Sequence, residues 1–338
     1  MNSKLFRLLA LMGCALSATA YVAAQTQPPT PVPPVQAAQT KDINEWLMRM
    51  HEASRNRSYV GTFVVSSGNA LSSAKIWHVC DGTQQMERVE SLTGPPRSTF
   101  RHNDQVVTFM PEQKLIRAEK RESLGLFPAL LKSTGSQIGD FYQARQEGRE
   151  RVAGVDADVI ALVPKDAMRF GYRVWAEQKK GLVVKLQTLD TDGKVLEQAA
   201  FSELQFDAPV KIEKLAQMMN KVDGYKVERL GLVKTTASAE GWALKKPVAG
   251  FTPMSCHKRP RGAQAGEAPM QWVFSDGLAS VSIFVEPFDG QRHTKESRMS
   301  LGATQSLTRR VEAHWLTVMG EVPMATLGLF ADGLERKK

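Results

Sequence analysis

The apolar positions first recur at spacings of three and four, at Ile43, Trp46, Leu47, Met50 and Ala53. That period predicts an amphipathic helix, with Thr40 as its cap. After Arg55-Asn56-Arg57 the pattern changes to short runs rich in β-formers: Tyr59–Val65, Leu71–Cys80, Gln84–Leu92, Arg97–Arg101, Gln105–Met110 and Lys114–Lys120. Turn residues such as Ser67-Gly68-Asn69, Asp81-Gly82 and Asn103-Asp104 separate them, so the runs read as sequential strands. The gaps are too short for crossover helices, which makes the series an antiparallel meander. A dense apolar segment, Ser123 to Tyr142, interrupts it. Strands then resume at Gly148–Val152, Ala157–Val163 and Gly171–Ala176, and end in a hairpin pairing Leu182–Leu189 with Lys194–Leu204 about Asp190-Thr191-Asp192-Gly193. A strongly curved sheet of roughly ten strands closes or wraps around something. The helix and the Ser123–Tyr142 segment are available to fill its concave face.

Pro209 ends this first unit. Lys211–Asn220 reads as a short helix, and the chain to Glu240 as a polar connection that could serve as a hinge. Beyond it, "QWVFSDGLASVSIFVEPF" turns one strand into the next at Ser275-Asp276-Gly277. Ala313–Met319 is a further strand, and a closing helix from Met324 would place Leu327, Phe330 and Leu334 on one side. The chain is therefore mainly β, of the α+β class.

The N-terminus changes the picture by setting the compartment. Lys4 and Arg7 precede a short apolar run ending in small residues, which reads as a secretory signal over residues 1–24. The uncharged, proline-rich stretch 25–40 reads as a disordered spacer. An exported chain with Cys80 in one half and Cys256 in the other either bridges them or holds two separate thiols. The net charge is +9, and from Tyr225 onward 16 Lys/Arg face 11 Asp/Glu, so the smaller half is the more basic. Such a surface favours an acidic partner or an anionic lipid, and export argues against nucleic acid.

Catalytic and metal motifs fail one by one. His51-Glu52 lacks the second histidine of a zinc-protease helix, because Arg55 occupies that place. Cys256-His257 has no second ligand pair, and Asp190-Thr191-Asp192-Gly193 lacks the closing glutamate of a calcium loop. No catalytic residue, metal site or cofactor is assigned. The better-supported chemistry is apolar lining beside cations. Trp46, Met50, Leu124, Leu126, Phe127, Leu130 and Leu131 are assigned to an acyl-chain pocket, with Lys114, Arg117, Lys120 and Arg121 meeting an anionic headgroup. Lys258, Arg259 and Arg261 are assigned to a protein partner.

Several blocks in order carry a resemblance: "WLMRMHEASRNRSYVGTFV", "GPPR", "RVWAEQKKGLVVKLQTLDTDGKVLEQ", "FSDGL" and "VMGEVP". Together they resemble the RseB/MucB family of periplasmic regulators of the sigma-E (AlgU-type) envelope stress response. The resemblance implies a LolA/LolB-like antiparallel half-barrel with helices on its concave face, over 41–210. It further implies a linker over 211–240 and a smaller sheet-and-helix domain over 241–338. It implies a non-enzymatic protein, held at the inner membrane through the periplasmic part of an RseA- or MucA-type anti-sigma factor. That partner would be shielded from regulated proteolysis until lipopolysaccharide or another lipid releases it. The alternative is a periplasmic lipoprotein or lipid carrier of LolA type, for which the first domain alone would suffice. A hydrolase with dispersed catalytic residues has no positive support.

Overall fold

The computed structural model describes residues 42–120, 127–131, 137–229, 231–259 and 268–337. Helix α1 (Ile43–Asn56) follows Asp42, and Thr40 lies outside the described residues. Strands β1 (Tyr59–Ser67), β2 (Ala70–Cys80), β3 (Gln85–Ser91), β4 (Ser98–His102), β5 (Gln105–Met110) and β6 (Leu115–Lys120) form the expected meander. After the short α2 (Ile138–Phe141) come β7 (Tyr142–Val152), β8 (Val155–Pro164), β9 (Gly171–Glu177), β10 (Val183–Leu189) and β11 (Val195–Phe206). The predicted hairpin is β10–β11. Asp190 Oδ1 accepts the backbone N–H of Asp192 at 2.9 Å and of Lys194 at 2.8 Å, which closes its turn.

These strands form one open sheet in the order β12-β6-β5-β4-β3-β2-β1-β11-β10-β9-β8-β7. Its twelfth member, β12 (Lys226–Arg229), pairs with β6 in parallel and departs from the antiparallel pattern. The two faces of the sheet carry different helices. Ile76 and Val89 pack under Ile43, Trp46, Leu47 and Met50 of α1. Val79 and Met86, an odd number of positions away on the same strands, point to the opposite face. There they meet Leu215 and Met219 of α3 (Ile212–Met219), along with Phe100, Phe109 and Ile116.

The stretch 211–240 is thus not a free tether. Its helix is part of a core, β12 extends the first sheet, and β13 (Val233–Lys234) joins the second. That second sheet runs β13-β15-β16-β17-β20-β19-β18. Its members are β15 (Thr252–Lys258), β16 (Met270–Ser275), β17 (Ser280–Pro287), β18 (Ser297–Leu301), β19 (Thr304–Val311) and β20 (His314–Gly320). Helix α4 (Met324–Gly333) covers it, burying Leu327 and Phe330 among Phe274, Ile283, Leu316 and Val318. Leu334 is buried as expected, but it opens a strand, β21 (Leu334–Arg336), paired with β14 (Trp242–Leu244). The described residues from 42 to 337 form one compact unit.

Candidate functional site at the junction of the two sheets

The two sheets meet where the β8–β9 loop faces the β16–β17 turn. Asp276 begins that turn, and its Oδ1 accepts the backbone N–H of Leu278 at 3.0 Å and of Ala279 at 2.7 Å. Its other oxygen, Oδ2, accepts the Tyr142 hydroxyl at 3.2 Å and stands 3.5 Å from Nε of Arg169. Arg169 comes from the β8–β9 loop and is completely buried. Its Nη2 donates to the carbonyl of Ala249 at 2.6 Å, and Nη1 stands 3.4 Å from Asp166 Oδ2. The guanidinium lies between two rings, with its carbon 4.2 Å from the Phe141 centroid and 5.0 Å from that of Phe251. An arginine suits this place because its planar cation stacks on aromatic faces while its fork reaches several oxygens.

Two further contacts tie the same junction. The Thr326 hydroxyl at the start of α4 donates to the Met168 carbonyl at 2.8 Å. Leu278, from the second sheet's turn, is buried in the hydrophobic core of the first domain. A separate approach lies at Gly302 in the β18–β19 turn, where a side chain would overlap Ser67 of the β1–β2 turn.

Burial sets the electrostatics. It lifts the Asp276 carboxyl above its usual range, against the pull of the two backbone N–H groups and Arg169. Burial, reinforced by Tyr172 and Asp276, pushes the Tyr142 hydroxyl well up; burial with Glu321 and Asp276 does the same for Tyr172. The cluster has no nucleophile set beside a general base. Its geometry can hold two sheets in one arrangement, and a change at any member would be felt by both.

A second polar group crosses the first sheet in register: Tyr59, His78, Glu87 and Arg101 oppose one another on β1 to β4. His78 is fully buried, stacks on Tyr59 at 5.0 Å, and donates from Nδ1 to the carbonyl of Arg57 at 2.8 Å. Arg101 donates to Glu87 Oε2 at 2.8 Å. This row anchors the end of α1 to the sheet.

The assigned site residues fare unevenly. Trp46, Met50, Phe127 and Leu130 do come together, but as packed core under α1, with Leu131 against them. Surface cavities of about 480 Å³ and 580 Å³ are lined by other residues. Leu124, Leu126, Arg121 and Arg261 lie outside the described residues. The assigned headgroup cluster is split by strand alternation. Arg117 and Lys120 point to opposite faces of β6, toward Glu228 at 3.8 Å and Asp104 at 3.7 Å respectively, and Lys114 is an exposed turn residue before the strand. Lys258 is held by Glu240 at 2.8 Å, whereas Arg259 is exposed. The bridge between Cys80 and Cys256 is not formed: both are free thiols, on β2 of one sheet and β15 of the other.

The fold and the junction define a class: a β-rich protein whose open sheet is locked, through buried polar contacts, to a smaller sheet-and-helix domain. Residues 42–219 match the family model for the MucB/RseB N-terminal domain, and residues 236–335 match that for its C-terminal domain. The chain belongs to the MucB/RseB family. It is 29% identical over 299 residues to the sigma factor AlgU regulatory protein MucB of Pseudomonas aeruginosa, covering 86% of this chain and 90% of that one. It is 23% identical over 303 residues to the sigma-E factor regulatory protein RseB of Escherichia coli K12, covering 88% and 92%. The crystal structure of MucB in complex with MucA(peri) aligns with a TM-score of 0.67 at 26% identity, over 88% of this chain and 100% of that one. No helix among the described residues is long and apolar enough to cross a membrane.

The junction residues that the sequence did not single out are Arg169, Tyr142, Tyr172 and the side-chain role of Asp276. One signal was available: the "FSDGL" block contains both Asp276 and Leu278.

Proposed function

We propose that the chain is a periplasmic negative regulator of a sigma-E-type stress response, acting by binding the periplasmic part of a membrane-spanning anti-sigma factor. The observation that carries this reading is the match of both family domains, in order, together with the alignment to MucB solved with MucA(peri) over nearly the whole described chain. Binding would shield the anti-sigma factor from regulated proteolysis, and lipopolysaccharide or another lipid would relieve it. The packing of Trp46, Met50, Phe127 and Leu130 bears on the lipid step. An acyl chain entering there must displace α1 or the 127–131 segment, so lipid-bound and closed states are alternatives. The domains proposed remain 41–210 and 241–338, with residues 1–24 removed on export.

The test mixes the purified chain with the periplasmic domain of its organism's anti-sigma factor. A stable complex that resists the initiating protease, and that lipopolysaccharide dissociates, is the expected result. Failure to form a complex at both low and physiological salt would refute the reading.

A further inference from the structure

The cavity of about 580 Å³ lies against the second sheet, between its inner face and the chain running from Lys234 to Phe251. Its size falls in the range of about 300–1,000 Å³ that holds ligands. Trp242, Phe251, Cys256, Trp272 and Phe274 line it, and Met254 stands at the opening, 47% exposed. Exposed Lys234 and Lys337 border the opening as well.

One wall is a partly uncovered sheet edge. β13 pairs with β15 only at Val233 with Lys258 and Lys234 with His257, and Thr235 N–H then reaches the Cys256 carbonyl at 3.0 Å. Among the described residues no strand covers Thr252–Ser255 on that side. Met254 sits at a bulge, where the register with β16 shifts between Pro253 and Ser255. An apolar cleft beside an open edge is the arrangement by which a sheet takes up an extended peptide: the edge supplies main-chain hydrogen bonds and the cleft takes alternate side chains. An acyl chain would fill the cleft but leave the polar edge without partners, which is costly once water is excluded. The two lysines and the basic balance of this half favour carboxylates on the incoming chain.

We propose that this groove seats an extended peptide segment with apolar side chains and acidic flanks, laid along the open half of β15. Resting on the function proposed above, the segment belongs to the anti-sigma factor.

The test uses the full exported chain with Cys80→Ser, leaving Cys256 as the single thiol in the groove. The probe is the periplasmic domain of the anti-sigma factor. Its binding should slow alkylation of Cys256 by a maleimide. Lys234→Glu with Lys337→Glu should weaken binding about tenfold at low salt, chiefly through the on-rate, with melting temperature unchanged. Normal binding by the parent, with Cys256 unprotected and the charge-reversed variant unimpaired, overturns the groove and leaves the regulatory reading intact. No binding by the parent overturns both. Protection of Cys256 by lysophospholipid but not by the probe would make the groove a lipid seat and sink the peptide proposal.

Discussion

Arg169 Nε and Asp276 Oδ2 stand 3.5 Å apart with both side chains completely buried, one from each sheet. The pair joins the domains through charges that have left water. Deleting Asp276 leaves the buried guanidinium with Asp166 and the Ala249 carbonyl, and deleting Arg169 leaves the buried carboxylate without its cation. Breaking a buried pair in this way costs up to about 3–5 kcal/mol, whereas replacing both by apolar groups of similar volume is far milder. Arg169→Met and Asp276→Leu should each lower the melting temperature strongly. The double variant should lose much less than the sum of the two single losses. Additive losses in this cycle would mean that the two residues act independently.

Gly250 explains how the arginine fits. Its φ is +80°, and an added side chain would overlap Arg169 Nη2 and lie 2.8 Å from carbons of the Phe141 ring. Gly250→Ala therefore combines backbone strain of about 1–2 kcal/mol with displacement of the buried cation. The expected result is a loss of stability larger than strain alone, shrinking in an Arg169→Met background. An equal loss in both backgrounds would assign the cost to the backbone.

His78 should make stability depend on pH. Burial, more than its charged neighbours, holds its imidazole below the usual value of 6.5. The unfolded chain thus takes up a proton as pH falls through 6.5 before the folded protein does, so stability falls with acidification below that point. An asparagine in its place would retain a donor for the Arg57 carbonyl while removing the titration. His78→Asn should show a shallower loss of denaturation free energy between pH 7 and pH 5 than the parent. A slope equal to the parent's would place the proton uptake elsewhere, His51 being the next candidate because burial also lowers it.

The meander was legible because each of its strands carries its own evidence: alternation along β2 or β11 and turn residues between them. β12 and β13 carry none. "KVER" has one apolar residue, and its strand form depends on β6, more than a hundred positions earlier in the chain. β18 was equally silent, since Met299 and Leu301 are exposed and mark no buried face. The split of the basic residues was legible too: in a run predicted as a strand, side chains three positions apart point to opposite faces, as Arg117 and Lys120 do. Arg169 was invisible because a lone arginine in a loop is ordinarily solvated, and its burial depends on Ala249 and Asp276 from the other domain.

Leu278 offers the most direct test of how the two domains are held. It belongs to the turn of the second sheet, yet its side chain is packed in the first domain's core, 1% exposed. Truncating a buried leucine costs about 2–5 kcal/mol. Here that loss falls on a contact both domains share, while neither domain loses a residue from within its own strands. Leu278→Ala should therefore raise amide exchange at the junction, around Tyr142 and the β8–β9 loop, and leave β1–β3 and β16–β17 protected. If docking of the domains governs release of the partner, the same variant should let lipopolysaccharide displace the anti-sigma factor at lower concentration. Uniform loss of protection across both sheets would show instead that the two domains unfold as one cooperative unit, and the junction could not act as a separate switch.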